Sequence, residues 1–322
     1  MHCIVPFAAP GSDAGRATLA TMQWPRLDAL LPRLRLVDRD EGELTTFSPP
    51  HERVLARALG WQGDDGRWPF AARAAQADGI QPGSDAWGLV SPVHWHVGTD
   101  QVTLADPEML LLDEAGSRAL FEAVRPLFDE DGLRLVFGRA TRWYVAHESL
   151  QGLRTASLDR VVGRNVDRWL GDGDGGGDGG GARAASPLRR WRRLQSEVQM
   201  LLHDHPINAE REAKGLLPVN SFWLSGCGRA QPEPEEATLQ IDTTLRAAAL
   251  AEDWPAWSAA WRRLEEGTLL GLDVAMRRGG EVWLTLAGER AAATFTPVRG
   301  GLVARLKSVL SRPSVPALLA SL

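Results

Sequence analysis

A chain of 322 residues, 44% hydrophobic and 24% charged, has the balance of a globular protein and the length to bury one large core or two ordinary ones. Lys+Arg 36 against Asp+Glu 41 leaves a net charge of −5, so no general basic field holds nucleic acid. No stretch approaches the ~18 consecutive apolar residues of a membrane span, and the apolar start is short and lacks the basic residues of a signal peptide, so a cytoplasmic location is expected.

Cys3–Phe7 reads as an opening strand, followed by a turn at Gly11–Asp13. Trp24, Leu27, Leu30, Leu31 and Leu34 recur at helical spacing across Thr21–Leu36, with Pro32 expected to break or kink that helix. Ser48, Pro49 and Pro50 open a helix over Glu52–Leu59 that ends at Gly60. Asp85–Asp106 is strand-like with a hairpin turn at Gly98–Asp100, and alternation puts His94 and His96 on one face. A helix is expected near Leu112–Phe128, then a strand pair, Leu133–Phe137 and Thr141–Ala146, turning at Gly138.

The clearest break is the Gly/Asp run Gly171–Gly181, which carries no apolar side chain and reads as a flexible loop. It either separates an N-terminal α/β region over 1–170 from a C-terminal α/β region over 186–322, with a loop over 171–185, or decorates a single domain. Ser186 and Pro187 then start the most strongly patterned helix, with Leu188, Trp191, Leu194, Val198, Leu201 and Leu202 on one face and a stop near His205-Pro206. A short helix at Asn208–Lys214 closes at Gly215, and Ser221–Ser225 is a strand ending in Gly226-Cys227-Gly228. Strands at Thr238–Ile241, Glu281–Leu286 and Ala292–Phe295 alternate with helices at Leu245–Ala251, Ala256–Leu264, Leu302–Leu310 and Val315–Leu322. The fold class is α/β, a mixed sheet flanked by helices.

Two cysteines far apart, neither in a CxxC pair, read as free thiols and not as a zinc or redox motif. The 13 tryptophans read as large core residues. A docking face formed by Trp254, Trp257 and Trp261 for a protein partner is the alternative. The densest polar cluster runs from His203 to Asn208 and on through Arg211, Lys214, Asn220, Ser221 and Ser225. It has two readings. His205, Asn208, Arg211, Asn220 and Ser225 would suit a pocket for a small anionic or phosphorylated ligand. The same residues would equally suit a helix end whose side chains cap main-chain groups at a tight corner.

The stretch from His205 to Gly228 also resembles the HPxNxxRxxxGxxPxNxxWxxGxG segment of archaeal-type cofactor-independent phosphoglycerate mutases. His205, Pro206, Asn208, Arg211, Gly215, Pro218, Asn220, Trp223, Gly226 and Gly228 fall on its positions. Most of the chain, including Phe47–Arg53, Pro92–Asp100 and Leu194–Leu202, resembles proteobacterial RpfE-type regulatory proteins. The first resemblance implies an alkaline-phosphatase-like core, here degenerate, in which Asp and His at strand ends hold two divalent metals beside a Ser nucleophile. The sequence departs from that plan. Pro6-Phe7-Ala8 follows the first strand where an Asp-Gly is expected, and Leu284–Gly288 lacks the expected Asp-His pair.

The resulting expectation is a catalytically divergent, regulatory or anion-binding protein that needs no cofactor. The alternative is an active metal-dependent mutase, an isomerase using Mn or Mg, with His94 and His96 as its candidate metal ligands.

Overall fold

The computed structural model describes residues 1–99, 101–170, 188–234, 238–298 and 314–322. Its strands are β1 (His2–Val5), β2 (Leu34–Glu41), β3 (Ala86–Val93), β4 (Trp95–Val97), β5 (Val102–Leu104), β6 (Arg134–Arg139), β7 (Arg142–Ala146), β8 (Ser221–Arg229), β9 (Leu239–Ile241), β10 (Trp283–Ala287) and β11 (Ala291–Pro297). The helices are α1 (Asp13–Thr21), α2 (Pro25–Leu30), α3 (Pro50–Ala58), α4 (Phe70–Ala77), α5 (Glu114–Glu130), α6 (Leu158–Val161), α7 (Asp167–Leu170), α8 (Leu188–His203), α9 (Pro206–Ala213), α10 (Arg246–Leu250), α11 (Trp254–Leu264), α12 (Leu270–Arg277) and α13 (Val315–Ala320). The chain divides into two units. One comprises 1–44, 49–61 and 233–322, the other 45–48 and 62–232. This division differs from the expected split near the Gly/Asp run, because β1 takes both its partners, β9 and β10, from the last third of the chain. The run itself, Asp100 and the helix expected at Leu302–Leu310 lie outside the described residues.

The first unit is built on a mixed sheet in the order β2-β11-β10-β1-β9, with β9, β1 and β10 parallel and β11 and β2 antiparallel. Strand alternation gives the sheet two different faces. Cys3, Val5, Leu284, Leu286, Ala293 and Phe295 enter an apolar core with α1, α2, α11 and α13. Trp24, Trp254, Trp257 and Trp261 sit in that core as a chain of edge-to-face rings about 6 Å apart. These indoles are buried, so the Trp254–Trp261 face is no docking surface. Gly15 is required where α1 crosses α11, because a Cβ there would come within 2.8 Å of the Trp254 ring. The opposite face of the sheet carries His2, Thr285, Thr294, Asp38 and Asp40 beneath α3.

The helix expected over Thr21–Leu36 is interrupted. Pro25 starts α2, a 3₁₀ turn takes Leu31–Arg33, and Leu34 begins β2 as a buried edge-strand residue. Asp113 caps α5, while Asp106 caps the short 3₁₀ turn Pro107–Leu110 before it. The other expected strands and helices among the described residues fall within a few residues of their places.

The second unit is an antiparallel sheet, β6-β7-β3-β8. Leu120, Phe121, Val124 and Phe128 of α5 and Trp191, Leu194, Val198 and Leu202 of α8 pack with one face of it. Ala71, Ala72 and Ala75 of α4 pack with Trp87 and Tyr144 on the other. The β4-β5 hairpin forms where the alternation placed it, with the Gly98 amide donating to Gln101 across the turn.

Candidate functional site

In the second unit, the polar cluster after residue 203 is tied to its own backbone. His205 caps α9, its Nδ1 accepting from the Ile207 amide at 3.3 Å. Asn208 is buried and makes three bonds, donating to the carbonyls of Leu202 (2.8 Å) and Val219 (2.7 Å) and accepting from the Val219 amide (2.9 Å). Arg211 is also buried and donates to the carbonyls of Leu217 (2.9 Å) and Leu110. Burial lowers its pKa, against the pull of Asp113. Asn220 clasps β4 by accepting from the Trp95 amide at 2.7 Å and donating to the Trp95 carbonyl at 2.9 Å. Ser225 is buried on β8.

The glycines that follow have a packing cause. Gly226 adopts φ 63°, and a Cβ on it would meet the Ala71 amide of α4 at 2.8 Å. Cys227 between them is fully buried, which pushes its thiol up to about 12 and leaves it protonated at neutral pH. Of the two readings of this segment, these bonds are those of a capped corner.

His94 and His96 do share a face, with ring centroids 4.4 Å apart. His94 Nδ1 donates to the Pro218 carbonyl at 2.8 Å, which leaves Nε2 as the ring's acceptor. Burial depresses the His94 pKa, with the Pro218 bond opposing and His96 adding to the fall. Asp106, the carboxylate that ends this strand-like stretch, accepts from the Glu108 amide at 3.3 Å.

In the first unit, ligands in parallel-sheet folds gather at the carboxyl ends of strands. Phe7, just past β1, takes the left-handed φ of 57° and its carbonyl accepts from Trp257 Nε1 at 3.0 Å. Asp242 follows β9. Burial raises its pKa, but hydrogen bonds from Thr244 and Thr268 outweigh that and hold it below the usual carboxylate range. Among the described residues no group of three or more His, Cys, Asp or Glu side chains is placed to hold a metal ion. The ligand set of a two-metal phosphotransfer site therefore does not fit the residues described here.

A groove of about 730 Å³ lies in this unit between α2 and the rod formed by α11 and α12. Four arginines line it, Arg26, Arg33, Arg262 and Arg277, with Glu265, Glu266 and Asp273. A π turn, Glu265–Leu269, joins α11 to α12. In an unbroken α-helix Arg277 would lie about 100° round the axis from Ser258. The π turn withdraws roughly that rotation, so Ser258, Arg262, Asp273 and Arg277 form one wall.

The acids are largely taken up. Buried Glu265 accepts from the amides of Arg26 (3.2 Å) and Leu27 (3.0 Å), capping α2, which has no side-chain cap at its own N-cap residue. Its burial raises its pKa, against those amide bonds. Asp273 serves both Arg277, at 2.9 Å, and Arg33. Those two partners, Arg277 first, hold its carboxyl below the usual range despite burial. Arg26 and Arg262 make no ion pair with a described carboxylate, so four cations meet three acids in a chain of net charge −5. Sequence reasoning missed this groove because Gly267 and Gly271, poor helix formers, obscure the continuation of α11.

No protein-family model matches the chain, and no curated protein matches it. Two solved structures are similar to it over nearly their whole lengths. One is a cofactor-independent phosphoglycerate mutase from Thermoplasma acidophilum, 14% identical over 94% of this chain and 90% of that one, with a TM-score of 0.36. The other is the PH0037 protein from Pyrococcus horikoshii, 12% identical over 95% and 91%, with a TM-score of 0.44. Likenesses of this strength say what the chain is similar to and assign it no activity.

Proposed function

We propose that this is a mutase-like protein that binds a small anionic ligand and acts in regulation instead of turning substrate over. The observation that supports the reading is the arginine-lined groove. Arg26 and Arg262 make no close ion pair among the described residues, Arg26 interacting with Glu265 only at longer range, and they share a cavity large enough for a small molecule. Arg33 and Arg277 divide one carboxylate, Asp273, and so retain donors for a phosphate or a second carboxylate. Gln23 adds a neutral donor to the lining, while the Thr21 and Ser258 hydroxyls donate to the Thr18 and Trp254 carbonyls. The segment that resembles the mutases contributes stability to this picture, through the caps and clasps of Asn208, Arg211 and Asn220.

Calorimetric titration with 3-phosphoglycerate, with and without Mn²⁺, tests the proposal. Metal-independent binding is expected, weakened at least tenfold by Arg26→Ala and by Arg262→Ala, with no mutase turnover. Mn²⁺-dependent turnover abolished by His94→Ala would overturn the regulatory reading in favour of the enzyme. Binding unchanged in the Arg26→Ala/Arg262→Ala double variant would place the anion site elsewhere.

A further inference from the structure

The face of the first sheet turned toward α3 is unusual for a strand surface in a protein interior. His2 Nε2 hydrogen-bonds Thr285 Oγ1 at 2.8 Å, and Thr285 in turn bonds Thr294 Oγ1 at 2.8 Å, so the three side chains form one line across β1, β10 and β11. Thr285 and Thr294 are buried. Burying such groups is costly unless each finds a partner, so the line is specified and not incidental. Burial, and secondarily the amino-terminal charge, lower the His2 pKa from 6.5 to about 4, which keeps the ring neutral at physiological pH.

A cavity of about 410 Å³ opens on this line, with Val54 and Ala58 of α3 contributing apolar surface. Its volume lies within the range of small-molecule sites. Arg57 bonds Asp40 at 2.6 Å and approaches Asp38 at 3.3 Å, while Arg53 also binds Asp40. Two guanidinium groups thus meet two carboxylates, and the one further charge on the lining, the Met1 ammonium, donates to the Glu281 carbonyl at 2.9 Å. The Asp38 and Arg57 side chains are 52% and 48% exposed, so each retains hydrogen-bonding capacity toward the cavity. Beside them the Trp283 indole, 40% exposed, stands against the His2 ring with centroids 6.1 Å apart.

The geometry points to a second binding site here, for a neutral ring that carries adjacent hydroxyls. Each feature selects part of that chemistry. A carboxylate accepts from one hydroxyl while the guanidinium beside it donates to the neighbouring hydroxyl. The half-exposed indole presents a flat apolar surface to the C–H face of a ring. A neutral imidazole and the Thr294 hydroxyl supply donors and acceptors without favouring a charged group. Monosaccharides and ribonucleosides share this chemistry, and the site is independent of the arginine groove.

Saturation-transfer NMR and calorimetry of the full chain with D-glucose, D-galactose, adenosine and 2′-deoxyadenosine test the inference. At least one diol-bearing ring is expected to bind. A response to the sugars and not to adenosine identifies a saccharide site. A response to adenosine, at least tenfold stronger than to 2′-deoxyadenosine, identifies a nucleoside site. Asp38→Asn and Trp283→Ala are each expected to weaken binding at least tenfold, Trp283→Phe to restore part of it, and Arg26→Ala/Arg262→Ala to leave it unchanged. Circular dichroism of the variants confirms that each is folded. The inference is overturned if no diol-bearing probe binds at millimolar concentration, or if folded Trp283→Ala binds as tightly as the unaltered protein.

Discussion

Replacing Asn208 by alanine separates the two uses to which its segment could be put. The side chain makes three hydrogen bonds of 2.7–2.9 Å to main-chain groups that are sealed from water, two to carbonyls and one from an amide. Each is worth about 1 kcal/mol net, and the orphaned partners keep their desolvation cost, so Asn208→Ala should destabilise the protein by about 3 kcal/mol. For a domain of this size that lowers the melting temperature by about 6–12 °C. Asn208→Asp is a second probe. It keeps the acceptor for the Val219 amide but sets a carboxylate against the carbonyls of Leu202 and Val219, so it should destabilise at least as much. Thermal unfolding followed by circular dichroism measures both, with 3-phosphoglycerate titrated into each folded variant. The capping argument predicts large losses of stability with ligand affinity intact. A melting temperature within about 2 °C of the unaltered protein, combined with lost affinity, would refute it and make Asn208 a ligand contact.

Further outcomes follow from titration and reactivity. The unfolded chain takes up a proton on His2 near pH 6.5, whereas the folded protein resists until about pH 4. His2 therefore costs nothing above pH 6.5, and stability falls as the pH drops through that window by up to about 3 kcal/mol; melts at pH 7 and pH 4.5 should show a smaller difference in His2→Gln. Cys227, with its thiol raised to about 12 by burial, should resist iodoacetamide at pH 8 in the native state and react once urea is added. Labelling of native Cys227 at the rate of an exposed thiol would contradict its burial.

Much of the local structure was legible before any coordinates. The helix at 188–203, the strand pair around Gly138 and the hairpin at Gly98 each rest on neighbours in sequence, where a 3.6 or a 2.0 residue period and a turn residue say enough. The paired faces of His94 and His96 were legible for the same reason. The segment around Pro32 was misread because Leu34 has the spacing of a helix and the burial of an edge strand, and only its partner β11 decides between them.

The candidate sites were hidden. Arg26 and Arg33 meet Arg262 and Arg277 more than two hundred residues later along the chain, and their common wall depends on a π turn that no residue pattern announces. His2, Thr285, Thr294 and Asp38 come from four strands and look unremarkable one at a time.

The amino-acid sequence by itself determined the elements whose physics is local: which stretches coil, which extend, where glycine and proline end them, and that an α/β chain results. Tertiary structure alone decided what the polar residues do. It turned Asn208 and Arg211 inward onto main-chain carbonyls and gathered distant arginines into one groove. The reason is physical: a side chain's chemistry is set by the partners and the water around it, and both are assigned only when remote segments pack together.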